Sequence, residues 1–130
     1  MAQDINLTGL WQGQFSYPIA MQPEFFTANL LETPDLLGGS IQETIRHGKN
    51  AGRLFYASVH GRRDGRAVQF IKQYETPPRR HQVRYEGVVN ADATEIEGSW
   101  TIPASWSGRF LMIRATGLAL AVRRQVTADV

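Results

Sequence analysis

The feature that most restricts how this chain folds is an alternation of apolar and polar residues that recurs in eight short segments: 9–18, 24–33, 36–46, 52–62, 66–75, 80–90, 94–103 and 106–116. One parity collects Trp11, Gly13, Phe15 and Tyr17, then Phe26, Ala28, Leu30 and Glu32, then Leu37, Gly39, Ile41 and Glu43. It continues through Phe55, Ala57, Val59 and Gly61, Val68, Phe70, Lys72 and Tyr74, and His81, Val83, Tyr85, Gly87 and Val89. It ends with Ile96, Gly98, Trp100 and Ile102, and with Trp106, Gly108, Phe110, Met112 and Arg114. The opposite parity is mostly polar, as in Gln12, Thr27, Gln42, Gln69, Arg84, Glu97 and Ser107, with Leu111 and Ile113 as exceptions. Side chains of a strand point alternately to its two faces, so a period of two sends the first set inward and the second into water.

The breaks between segments carry turn chemistry: Thr33-Pro34-Asp35, Gly48-Lys49-Asn50, Arg63-Asp64-Gly65, Thr76-Pro77-Pro78, Asn90-Ala91-Asp92 and Pro103-Ala104-Ser105. Glycine supplies positive φ, proline pre-sets φ, and Asn or Asp bonds its own backbone. Arg63-Asp64-Gly65-Arg66 is the clearest hairpin signal, and Asp-Gly predicts a type I′ turn. Short, even connections predict an up-and-down meander. Eight strands in sequence order can remain an open sheet, pack as a sandwich or close; closure removes sheet edges and leaves an interior wide enough for side chains or one small ligand, and it is the arrangement expected. The predicted fold is therefore all-β, an eight-stranded antiparallel up-and-down barrel. Its domain spans residues 1–117. The apolar run Leu118–Val122 opens a tail, 118–130, expected to pack on the barrel or on the partner subunit of a homodimer.

Composition narrows the function classes. A chain of 130 residues, 42% hydrophobic and 20% charged, suits one globular domain. A net charge of +2 is too small to argue for a nucleic-acid partner. Of fourteen basic residues only Lys49 and Lys72 are lysines, which favours forked arginine contacts to carboxylate or phosphate. The absence of cysteine excludes disulfides, thiol catalysis and Cys-based zinc sites. With an N-terminus that has neither a basic nor an apolar leader region, it predicts a cytoplasmic protein. No apolar run approaches the ~20 residues of a membrane helix, so no membrane partner is expected.

Thr8-Gly9-Leu10-Trp11 places Gly-x-Trp at the start of the first segment, and Ser107-Gly108-Arg109-Phe110-Leu111-Met112-Ile113-Arg114 forms the last. That pair of features resembles the calycin barrels, which include lipocalins, fatty-acid-binding proteins and avidins. Val68–Tyr74, Tyr85-Glu86-Gly87 and Glu97-Gly98-Ser99-Trp100 are similar to stretches of uncharacterised bacterial members. The resemblance implies that Trp11 closes one end of the barrel with Arg114 packed across it. A guanidinium over an indole face is worth ~0.5–2 kcal/mol.

The inward parity also carries titratable groups that a purely structural core would avoid: Glu32, Glu43, Lys72, His81 and Arg114. Buried charges are costly unless paired and hydrogen-bonded. Strand direction puts Glu43, Lys72, Tyr74, His81 and Tyr17 towards the end opposite Trp11. Lys72, Glu43 and His81, with Tyr85 and Tyr74, are the candidates for holding a polar or anionic group. Phe15, Phe70 and Trp100 would line the apolar body of the same ligand. The alternative is an interior Glu43–Lys72 ion pair with His81 in solvent.

The function expected is non-enzymatic binding of a small, largely apolar ligand with a polar or anionic group in the barrel interior. The alternatives are a small barrel enzyme doing isomerase- or cyclase-type acid–base chemistry at the polar mouth, and a peptide or protein interaction module. No catalytic residue, metal site or cofactor is assigned. His47, His60 and His81 lack ligand spacing, and there is no P-loop, nucleophile elbow or dinucleotide fingerprint. The arginine-rich stretches Arg62–Arg66 and Pro77–His81 read as solvated turns, with a phosphate or acidic-peptide contact as the alternative.

Overall fold

The computed structural model describes residues 5–17, 23–46, 48–77 and 79–115. They form eight strands: β1 (Gly9–Ser16), β2 (Glu24–Glu32), β3 (Leu37–Thr44), β4 (Leu54–Asp64), β5 (Ala67–Tyr74), β6 (Gln82–Val89), β7 (Glu95–Ile102) and β8 (Trp106–Arg114). Each lies in its expected segment, except that β4 runs two residues further, to Asp64. Every strand pairs antiparallel with its sequence neighbours, and β1 pairs with β8, so the sheet closes as an up-and-down barrel. In the closing pair Trp11 stands opposite Arg114 and Gly13 opposite Met112. No described residue is helical, and no helix among them is long and apolar enough to cross a membrane. The tail 118–130 lies outside the described residues.

The alternation places the core. Trp11, Phe15, Phe26, Phe55, Phe70, Tyr85, Trp100, Phe110 and Met112 are all buried, and so are the aliphatic residues of the same parity such as Ile41, Val59, Val83 and Ile96. Barrel curvature needs backbones closer than side chains allow. At Gly61 an added Cβ would lie 2.0 Å from the Gln69 carbonyl oxygen. At Gly39, φ is 145° and a Cβ would meet the Asn29 oxygen at 2.0 Å. Both positions need the missing side chain.

Four details differ from the sequence reading. The β4–β5 hairpin turns at Gly65-Arg66, because Asp64 still pairs with Ala67. Gly65 has φ 62° and Arg66 is not among the positive-φ residues, which is the type II′ pattern rather than I′. Gly39 shares the inward parity but is exposed. Trp106, the first residue of β8, is 38% exposed, because the inner face opens to solvent at the rim. Ile113, outward by parity, is nevertheless buried.

Candidate functional site

Strand direction gives the barrel two chemically different ends. One end gathers the start of β1 and the end of β8. There the Arg114 guanidinium lies 4.6 Å from the Trp11 ring centroid. Its Nε donates to Ala93 O at 2.8 Å, and its two terminal nitrogens donate to Thr8 O and Asn6 O at 2.8 and 2.6 Å. Trp11 Nε1 donates to Leu7 O at 2.9 Å. Beside them Arg63 pairs with Glu32 at 2.8 Å and donates to Ile5 O at 2.6 Å. Glu32 in turn accepts the Leu7 amide at 2.8 Å. The segment Ile5–Thr8 is thus fastened across this end, and Leu7 and Trp11 fill it.

The other end holds the charged cluster. Glu43 is the penultimate residue of β3, Lys72 and Tyr74 come from the end of β5, and Tyr85 from the middle of β6. Glu43 and Lys72 are each 1% exposed. The Lys72 ammonium donates to Glu43 Oε2 and to the Tyr85 hydroxyl, the latter at 3.2 Å. Tyr74 donates its hydroxyl proton to the same carboxylate, 2.8 Å from Oε1 and 3.0 Å from Oε2. The ammonium also sits over aromatic faces, 4.6 Å from the Tyr74 centroid and 4.7 Å from Phe15, with Phe26 and Tyr85 at 5.6 and 5.4 Å. Carboxylate and rings together replace the water that a buried ammonium loses.

Arg79, from the β5–β6 loop, covers this cluster. Its guanidinium donates to Glu43 Oε1 at 3.3 Å and to the Tyr74 oxygen at 3.2 Å. It lies over the Phe55 ring at 4.7 Å and the Tyr74 ring at 5.3 Å. The sequence reading places Arg79 in an arginine-rich, solvated turn, because loop residues obey no parity; the structure instead lays it over Glu43 and Tyr74. Phe26, on the inward parity, also joins the cluster.

The protonation states follow from these contacts. Burial alone would depress the Lys72 ammonium, but the Glu43 carboxylate, with Tyr85 and Tyr74, outweighs it and holds the pKa well above lysine's ordinary range. Burial pushes the Tyr74 and Tyr85 hydroxyls up, in part offset by Lys72. His81 is pushed down by partial burial and by Arg79 and Lys72. Burial also raises the half-buried Tyr17.

All eight residues singled out for binding fall at this end or in the core beneath it. Lys72, Glu43, Tyr74 and Tyr85 are hydrogen-bonded together. His81 is exposed at the rim, its ring 4.9 Å from Tyr74. Phe70 stacks on Tyr85 at 4.8 Å, and Phe15 meets Trp100 edge-on at 6.1 Å. These aromatics therefore pack against one another. The Tyr85 hydroxyl accepts from Lys72, and its own proton has no acceptor among the described residues.

Fold and site define a small closed antiparallel barrel with one sealed end and one buried, charge-bearing end. Neither a scan against protein-family models nor a search of the curated proteins finds a match for this chain.

Proposed function

We propose that this protein is a non-enzymatic, calycin-like binding barrel that takes a small, largely apolar ligand with an anionic group at the Lys72 end of its interior. The observation that carries the reading is the desolvated Glu43–Lys72 pair. Buried ion pairs are often no more stabilising than hydrophobic residues of similar volume, so stability is a weak reason for keeping this one. Two cations, Lys72 and Arg79, share one carboxylate, Glu43. A second buried carboxylate, Glu24, lies at the same end, so an anionic group would be held by direct contacts to Lys72 and Arg79 rather than by an excess of charge. The Tyr85 proton, which has no acceptor among the described residues, offers that group a further hydrogen bond. Because the aromatics are packed together, a ligand gains access by moving the Arg79 side chain off Phe55 and Tyr74.

The enzymatic alternative needs a group that exchanges protons near neutral pH. Lys72, Tyr74 and Tyr85 are all shifted upward, away from that range. His81 alone is shifted the other way, and it lies at the rim. Binding is therefore the better reading.

Native mass spectrometry of protein purified from its own cells tests the proposal. The expected result is a small molecule carried by the wild type and lost from Lys72→Met, with both proteins showing the same β circular dichroism. A folded Lys72→Met that keeps the same ligand, or a wild type that carries none, contradicts it.

A further inference from the structure

Away from the barrel interior, a groove of about 560 Å³ runs over the outer face of β4, β5 and β6. Pockets of a few hundred cubic ångströms suit small molecules. The register builds it from two adjacent rows. His60, Ile71 and Arg84 lie side by side across the three strands, and Arg62, Gln69 and Glu86 lie side by side in the next row. Leu36, 66% exposed in the turn before β3, adds an apolar wall. Close approach of β4 and β5 at Gly61 belongs to the same stretch of sheet.

The electrostatics separate this groove from ordinary surface. Arg63 and Arg114 elsewhere in the barrel are saturated with a carboxylate or backbone carbonyls. Arg62 and Arg84 have no hydrogen-bond or ion-pair partner among the described residues, although Glu86 lines the same groove. Strand spacing and rise put their backbones about 12 Å apart, diagonally across β5. Two long side chains at that separation can converge above Ile71 and Gln69. The result is a floor of Ile71 and Gln69 bracketed by two guanidiniums that have no partner among the described residues, with His60 and Glu86 beside them.

We infer that this outer groove is a second binding site, for a small organic anion whose apolar part lies on Ile71 against Leu36 and whose carboxylate or phosphate is held by Arg62 and Arg84. Guanidinium forks match both acid groups in two-point geometry. The site is independent of the interior cluster, because its side chains point to the other face of the sheet.

Titration with phenyl phosphate, followed by amide NMR shifts and by calorimetry, tests this inference. Saturable binding at one site is expected, with shifts confined to residue 36 and residues 60–62, 69–71 and 84–86. Inorganic phosphate should bind more weakly for want of the apolar contact, and phenylacetate distinguishes a carboxylate from a phosphate preference. Arg62→Gln and Arg84→Gln should each weaken binding on the order of tenfold, the scale of one lost charged hydrogen bond. Lys72→Met should leave the affinity unchanged, which separates this site from the interior one. No saturable binding, equal affinity in the Arg62→Gln/Arg84→Gln double variant, or shifts confined to residues around Lys72 would overturn the inference.

Discussion

The two ends of the barrel use the same materials to opposite effect. Each sets a cation over aromatic rings, and each contains a carboxylate–cation pair. At the Trp11 end, the Arg114 guanidinium is saturated by three backbone carbonyls and Glu32 accepts from both Arg63 and the Leu7 amide. Those charges remain partly hydrated, with Arg63 and Glu32 at 17% and 10% side-chain exposure. At the Lys72 end, both partners are removed from water, a neighbouring hydroxyl proton has no acceptor among the described residues, and Arg79 from a loop lies over them. The difference teaches that a pair which fastens backbone segments is a structural element, whereas a buried pair joining only side chains calls for another explanation.

The largest expected effect comes from breaking the buried pair on one side. Glu43→Leu strands the Lys72 ammonium and should cost roughly 3–5 kcal/mol in urea unfolding. A loss below ~1 kcal/mol would mean that water reaches Lys72 and that the two ends do not differ as described.

At the sealed end, Arg114→Ala removes the indole contact and the bonds to three carbonyls. It should cost about 1–3 kcal/mol and shift Trp11 emission to the red as water reaches the ring. Unchanged emission and stability would show that the Arg114 stack does not seal this end.

Arg79→Ala sharpens the comparison because it opens the cover without stranding a core charge. Glu43 keeps Lys72 and Tyr74, so the stability change should stay under about 1 kcal/mol. Ligand exchange, followed by native mass spectrometry, should become faster. A loss of stability equal to that of Glu43→Leu would make Arg79 part of the structural core instead.

The pH dependence gives the smallest signal at ordinary pH. Lys72 has a folded-state pKa above its unfolded value of 10.5. Its contribution is therefore fully present below that value and lost as pH rises through the higher folded value. Tyr74 and Tyr85, raised above 10.0, act in the same direction. His81 is lowered from 6.5, so its contribution is present above that pH and lost as pH falls through the lower folded value. Alkaline unfolding should be less steep in Lys72→Met, and His81→Asn should flatten the mild acid limb. Identical pH profiles in wild type and variants would contradict these assignments.

Much of the architecture was legible because parity is a local signal that repeats. Lys72 shares a face with Val68 and Phe70, and Glu43 shares one with Ile41, so their inward placement and common end followed from counting residues. The resemblance carried by Trp11 and Arg114 led to the stack at the sealed end. Parity fails where strands stop. Trp106 and His81 stand at the rim, where the inner face meets solvent, and Gly39 adopts a backbone conformation that alternation does not encode. Arg79, read as part of a solvated turn, was misplaced for a related reason, since a loop side chain reaches its partner through tertiary placement alone. Whether Lys72 finds Glu43 or a ligand was open in sequence because both partners lie on the same face. The structure shows Glu43, with Tyr85 also in reach.

The most direct test of the central claim is the stability of the double variant Glu43→Leu/Lys72→Met, measured by urea unfolding beside both single variants. If the pair is held for binding, replacing both charges by apolar groups should leave stability within about 1 kcal/mol of wild type or raise it, while the ligand is lost. If the pair is a structural device, the double variant should remain less stable than wild type by more than about 1 kcal/mol even though no charge is stranded, and that result would contradict the account.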